Sequence, residues 1–184
     1  MRLGKFDSYH DVNIPQPTVE RMIALTNYLS GRGHLEISFE GTPPKALEKY
    51  KMRQPPNTMQ QYVYHSDLVF SQGASTASES VVLGTPCVFQ SHLRWGYIED
   101  EVAAGLLFRS GTEDILEVCR KYIDYKTDPN YKAKHASFLA DKEDIVKLTV
   151  QVLEDDRIWK TKKSIDPTTA PFSYDLTFKP ESEI

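Results

Sequence analysis

Two short apolar runs, Asp67 to Phe70 and Pro86 to Phe89, stand either side of a single stretch of helical pattern. Between them lie a turn of small residues, Gly73-Ala74-Ser75-Thr76, and a helix carrying Glu79 that stops at Gly84. Strands that alternate with helices at such short intervals build βαβ units and a mostly parallel sheet. Both runs are continuously apolar, as expected of strands covered by helices on both faces. The expected fold is therefore α/β: a doubly wound, mostly parallel, Rossmann-like sheet.

The rest of the chain supplies the remaining units. Residues 3–9 give a first strand ending near His10-Asp11, and a helix opens at Thr18 and Glu20. Val19, Met22, Ile23 and Leu29 fall on one face of that helix, and Gly31 and Gly33 end it. Residues 34–40 alternate, with Leu35, Ile37 and Phe39 on one side and Glu36, Ser38 and Glu40 on the other. This pattern predicts a strand with one wet face near a sheet edge. A short helix over Lys45–Tyr50 follows. Met52–Gln54 reads as a short strand, and Asn57 as the N-cap of a helix to Ser66. Gly96–Ala104 reads as a helix closed by Gly105, Leu106–Phe108 as a last strand, and Thr112 as the start of another helix. A final amphipathic helix is expected from about Tyr131 to Asp155. Residues 161–184 are rich in Ser, Thr, Pro and charge and show no period, so the domain is expected over 1–160 with a loose tail over 161–184.

Composition narrows the function. The 184 residues carry a net charge of -4 and no basic run, which argues against general nucleic-acid binding. No apolar run approaches the length of a membrane helix, and the first residues lack the apolar core of a signal peptide. Cys87 in an apolar strand and Cys119 in a helical pattern read as buried free thiols of a cytoplasmic protein. No Cys/His cluster has metal-site spacing, so no metal is expected.

In a doubly wound sheet the ligand sits beyond the carboxyl ends of the strands, at the switch point. His10-Asp11, Gly73–Thr76 and Ser91–Tyr97 fall at such ends. A strand, a small-residue turn and a helix N-terminus make an anion site, because unpaired backbone N–H groups and the helix dipole both favour negative charge. Glu79, one turn further in, is placed to accept hydrogen bonds from sugar hydroxyls. Each residue also has a plainer reading. Glu79 reads equally as a solvated helix residue, and Ser75 and Thr76 as helix caps. His10 and Asp11 read as a structural pair, and Arg94 and Trp95 as cover for the sheet edge.

The segment SQGASTASESVVLGTP, Ser71 to Pro86, resembles the nucleotide-sugar-binding segment in the C-terminal domain of GT-B glycosyltransferases. It is especially similar to UDP-N-acetylglucosamine 2-epimerase and to a related uncharacterised family, which the chain also resembles at SYHDV, ISFEGTPPKALEKY and GYIEDEVAAGLLF. The resemblance covers roughly residues 5–125. It implies that the Ala74, Ser75 and Thr76 amides and the Ser75 and Thr76 hydroxyls hold a diphosphate beside Gly73, and that Glu79 takes the ribose. It further implies that Met52–Gln54, with Arg53, faces the base; Arg94 and Trp95, by their place in the loop after the strand ending near Gln90, are candidates to contact the donor sugar or phosphate. His10 falls at the position of a histidine near sugar and phosphates, the one implied catalytic residue. Asp11-Val12-Asn13 replaces an arginine-rich stretch, and Gln72 replaces a glycine common before the turn. The implied substrate is a nucleotide sugar, UDP-linked, in surface-polysaccharide synthesis, with no resident cofactor. GT-B proteins react in a cleft between two Rossmann-like domains. This chain resembles the second, so the resemblance implies a missing N-terminal domain or partner subunit and no turnover by this chain alone. A non-catalytic module binding a nucleotide or a partner is the alternative.

Overall fold

The computed structural model of the chain describes residues 1–4 and 15–155. His10, the rest of the 5–14 connection and the 161–184 tail lie outside the described residues. The chain divides into two units, the first Met1–Asp141 and the second beginning at Lys142.

The first unit is a Rossmann-like α/β domain. Its elements in chain order are β1 (Arg2–Leu3), α1 (Val19–Arg32), β2 (Ser38–Phe39), α2 (Met59–His65), β3 (Val69–Ser71), α3 (Ala74–Val82), β4 (Cys87–Gln90), α4 (Gly96–Ala103), β5 (Leu107–Ser110), α5 (Ile115–Tyr122) and α6 (Pro129–Ala140). The five strands form one sheet in the order β2-β1-β3-β4-β5, and every pairing is parallel. This order places the switch point between β1 and β3, where chain connections depart to opposite faces.

Side-chain alternation along the strands makes two cores. Leu3, Ile37, Phe70 and Val88 point to the face covered by α1 and α5, with Leu25, Ile115 and Cys119. Val69, Cys87, Phe89 and Leu107 point to the face covered by α2, α3, α4 and α6, with Val63, Ala77, Ile98 and Tyr131. Phe70 and Phe89 are fully buried on opposite faces, each stabilising the fold by roughly 1.5–3 kcal/mol through burial. Cys87 and Cys119 are buried free thiols, as the sequence implies.

Several boundaries differ from the sequence reading for local reasons. Gly31 lies within α1, and Gly33 is its C-cap, donating its N–H to the Leu29 carbonyl. Met52–Gln54 forms no strand of its own. A single bridge pairs Lys51 with Ile37, and Pro55 then turns the chain into a 3-10 turn. Asn57 sits inside that turn, Pro56–Thr58, and caps nothing; α2 begins at Met59. Within α4, Glu101 is buried and accepts from the Ser78 hydroxyl. The expected helix from Tyr131 to Asp155 is two helices. α6 ends at Ala140, and α7 (Ile145–Glu154) starts afresh where the Asp144 carboxylate accepts from the Val146 and Lys147 N–H groups at 2.9 and 3.2 Å. An unrecognised N-cap inside an amphipathic pattern is what divides it.

Candidate functional site

β3 ends at Ser71, and the chain reverses through Gln72 and Gly73 into α3. The buried Ser71 hydroxyl pins the reversal, donating to the Gly73 carbonyl at 2.8 Å and accepting from the Gly73 N–H at 3.1 Å. Gly73 is the N-cap, in an ordinary extended conformation (φ -96°), with open space where a side chain would stand. Its smallness thus leaves the approach to the following amides clear. It serves no special dihedral.

No side chain caps α3. The first intrahelical acceptor is the Gly73 carbonyl, bonded by the Ala77 N–H at 3.1 Å. The N–H groups of Ala74, Ser75 and Thr76 therefore have no acceptor among the described residues, and neither the Ser75 nor the Thr76 hydroxyl takes the capping role. Three such donors at the positive end of a helix dipole, at the carboxyl edge of a parallel sheet, are an arrangement able to hold an anion. Ser75 is exposed and Thr76 half-buried. Glu79 is exposed, four residues after Ser75 and three after Thr76, so it shares their helix face.

Gln72 is the residue the sequence reading undervalued. It is 7% exposed, and Gln90 at the end of β4 is fully buried. Gln72 Nε2 donates to Gln90 Oε1 and to Gln16 Oε1, both at 2.8 Å. Its Oε1 accepts the Gly4 N–H at 3.3 Å, and Gln90 Nε2 donates to the Pro15 carbonyl at 3.2 Å. Gln72, just before the turn, together with Gln90 thus ties β3 to β4 and to Gly4, Pro15 and Gln16. Two glutamines, each at the end of an apolar strand, were the available signal.

A cavity of about 410 Å³ opens beside Thr76. Arg2, Ser38, Met52, Met59 and Tyr62 line it on the α2 side of the sheet, and it continues to the amino ends of the strands at Ser66–Leu68. Gly73, Ser75 and Glu79 are not among its lining residues, so Thr76 joins the anion turn to the cavity. Arg53 is exposed, next to Met52 on the β2 side.

On the other side of the turn, Arg94 and Trp95 are exposed in the loop after β4. That loop is braced from below. Arg109 of β5 donates to the Ser91 and Leu93 carbonyls at 3.2 and 3.1 Å and pairs with Glu99. Arg109 was not singled out in the sequence, because a single arginine in a strand carries no pattern. The structure thus gathers Gly73, Ala74, Ser75, Thr76 and Glu79 on one helix end, with Arg53 and Arg94 on flanking segments. His10 lies outside the described residues. Among the described residues no group of His, Cys, Asp and Glu could hold a metal ion, and no helix is long and apolar enough to cross a membrane.

No protein-family model and no curated protein matches the chain. Among solved structures it is similar to one described as the glycotransferase of kitacinnamycin, with a TM-score of 0.51 and 13% identity. The match covers 74% of this chain and 37% of that one. At that identity the likeness concerns the fold.

Proposed function

We propose that the chain is the donor-binding half of a GT-B-type glycosyltransferase or of a sugar-nucleotide epimerase-like protein. The observation that carries this reading is the first turn of α3, whose three amides have no acceptor among the described residues, at the switch point of the sheet. The diphosphate of a nucleotide sugar places two anionic groups between two neutral ends. The Ala74, Ser75 and Thr76 amides take phosphate oxygens, with the Ser75 and Thr76 hydroxyls as further donors. Glu79, on the same helix face, accepts the ribose hydroxyls. The base lies toward the cavity beside Thr76 and Arg53, and the sugar toward Arg94 on the opposite side. The fold neighbour is a glycotransferase, and the chain spans 37% of it, which supports a reading as one part of a larger catalytic assembly. Chemistry at the sugar then rests on a second domain or subunit, with His10 the candidate acid–base group on this side.

A thermal-shift screen of the full chain against UDP, GDP, CMP and their sugar conjugates tests the proposal. A ligand of the native state at about 100 times its dissociation constant adds about 2.7 kcal/mol. A stabilising nucleotide diphosphate supports the reading. No shift from any nucleotide up to millimolar concentration refutes it.

A further inference from the structure

Arg2 stands on β1, paired in register with Ser38 on one side and Ser71 on the other. Ser71 is the residue that pins the turn into α3. Arg2 Nη1 donates to the Ser38 hydroxyl at 2.8 Å, and Nη2 pairs with the Glu40 carboxylate. Glu40 lies two residues beyond Ser38 on the same side of the strand, so the guanidinium leans toward the carboxyl edge. Arg2 and Ser38 line the cavity that Thr76, Met52, Met59 and Tyr62 also line. The alternation that makes Glu36, Ser38 and Glu40 the wet side of this segment thus puts Glu36 and Ser38 on the cavity lining and Glu40 in a pair with Arg2.

We infer that Arg2 and Glu40 are the residues that read the nucleobase. The inference rests on the proposal that the first turn of α3 holds the phosphates. A ligand anchored there has its base within reach of the cavity that shares Thr76. The walls suit a planar ring, with two polarisable thioethers and a tyrosine. The far side carries the donor-only Arg2 guanidinium, and the acceptor-only Glu40 carboxylate is paired with it without being part of the lining. The Watson–Crick edge of each nucleobase places a ring or carbonyl acceptor next to an N–H donor in an order that differs between bases, so an edge with the matching order can satisfy both at once. The volume, about 410 Å³, lies within the range of small-ligand sites. Arg2 is partly buried, with 25% of its side chain exposed, so a bound base would leave it little access to water. A base with the wrong edge would leave one of the two unpaired, and discrimination follows from that.

Calorimetric titration of the full chain with UDP, GDP, CDP, ADP and inorganic pyrophosphate tests the inference. The wild type should prefer one base over the least favoured by about tenfold or more, in the range a bidentate base contact supplies. In Arg2→Met that preference should fall to within about threefold, while pyrophosphate affinity stays unchanged. Glu40, half exposed, provides a second variant that should leave the fold intact: Glu40→Gln should narrow the same preference. Equal binding of all four nucleotides by the wild type, or an undiminished preference in both variants, overturns the assignment of Arg2 and Glu40 while leaving the phosphate site standing. Failure of every ligand, pyrophosphate included, overturns the nucleotide-binding proposal and this inference with it.

Discussion

Replacing Gln90 by leucine probes the polar clamp beneath the anion turn. Gln90 is fully buried, and its Oε1 accepts one of the two N–H groups of Gln72 Nε2 at 2.8 Å. Leucine fills most of the same space but accepts nothing, so one Gln72 N–H is left buried and unpaired. The Pro15 carbonyl also loses its donor, but Pro15 is exposed and water can replace it. One orphaned buried donor costs about 1–3 kcal/mol. For a chain of this length that corresponds to a midpoint lowered by roughly 2–12 °C, at about 2–4 °C per kcal/mol. Differential scanning calorimetry measures it. Gln72→Leu/Gln90→Leu removes both partners together and should cost less than the two single changes added, by about 1 kcal/mol. A neutral Gln90→Leu, or strictly additive single and double changes, would show that the two amides do not depend on one another.

Other expectations follow from the same contacts. Glu79→Gln should weaken the best nucleotide by about tenfold, roughly 1.4 kcal/mol, without moving the ligand-free midpoint; titration calorimetry of both proteins decides it. Gly84 has φ +77° and a Cβ there would stand 3.1 Å from His135 Cε1, so Gly84→Ala should destabilise by about 1–2 kcal/mol in urea unfolding. Burial pushes the Cys119 thiol up to about 12 and the Cys87 thiol well above its ordinary value. Thiols that ionise freely only when unfolded favour the unfolded state as pH rises. The contribution of these thiols to stability should therefore be level below the ordinary thiol range of about 8.5 and fall progressively above it. Unfolding midpoints between pH 7 and 10 test this, and Cys119→Ala should flatten the fall.

Much of the fold is legible in the chain because its signals are local. The continuous apolar runs ending in Phe70 and Phe89 announce strands buried on both faces, and Gly84 and Gly105 mark helix ends with positive φ in the structure. The α3 turn is legible for the same reason: strand, small residues and helix follow one another directly. What the sequence hides depends on partners far along the chain. Gln72 meets Gln90, Gln16 and Gly4; Arg109 meets Ser91 and Leu93; Arg2 meets Ser38 and Glu40. Each looks like an ordinary polar residue until the parallel register sets it beside its partner. The division between α6 and α7 escapes for the opposite reason. The amphipathic pattern continues across Asp141–Asp144, and one capping aspartate outweighs it.

The central claim is that the Ala74, Ser75 and Thr76 amides bind the diphosphate of a nucleotide. Titration of the ¹⁵N-labelled full chain with UDP and with GDP, followed by amide chemical shifts, tests it residue by residue. The account predicts that these three amides move most for the nucleotide that binds, and that the matching nucleoside, lacking phosphates, leaves them in place. Binding whose largest shifts fall elsewhere on the sheet, or shifts equally large with the nucleoside, would contradict it.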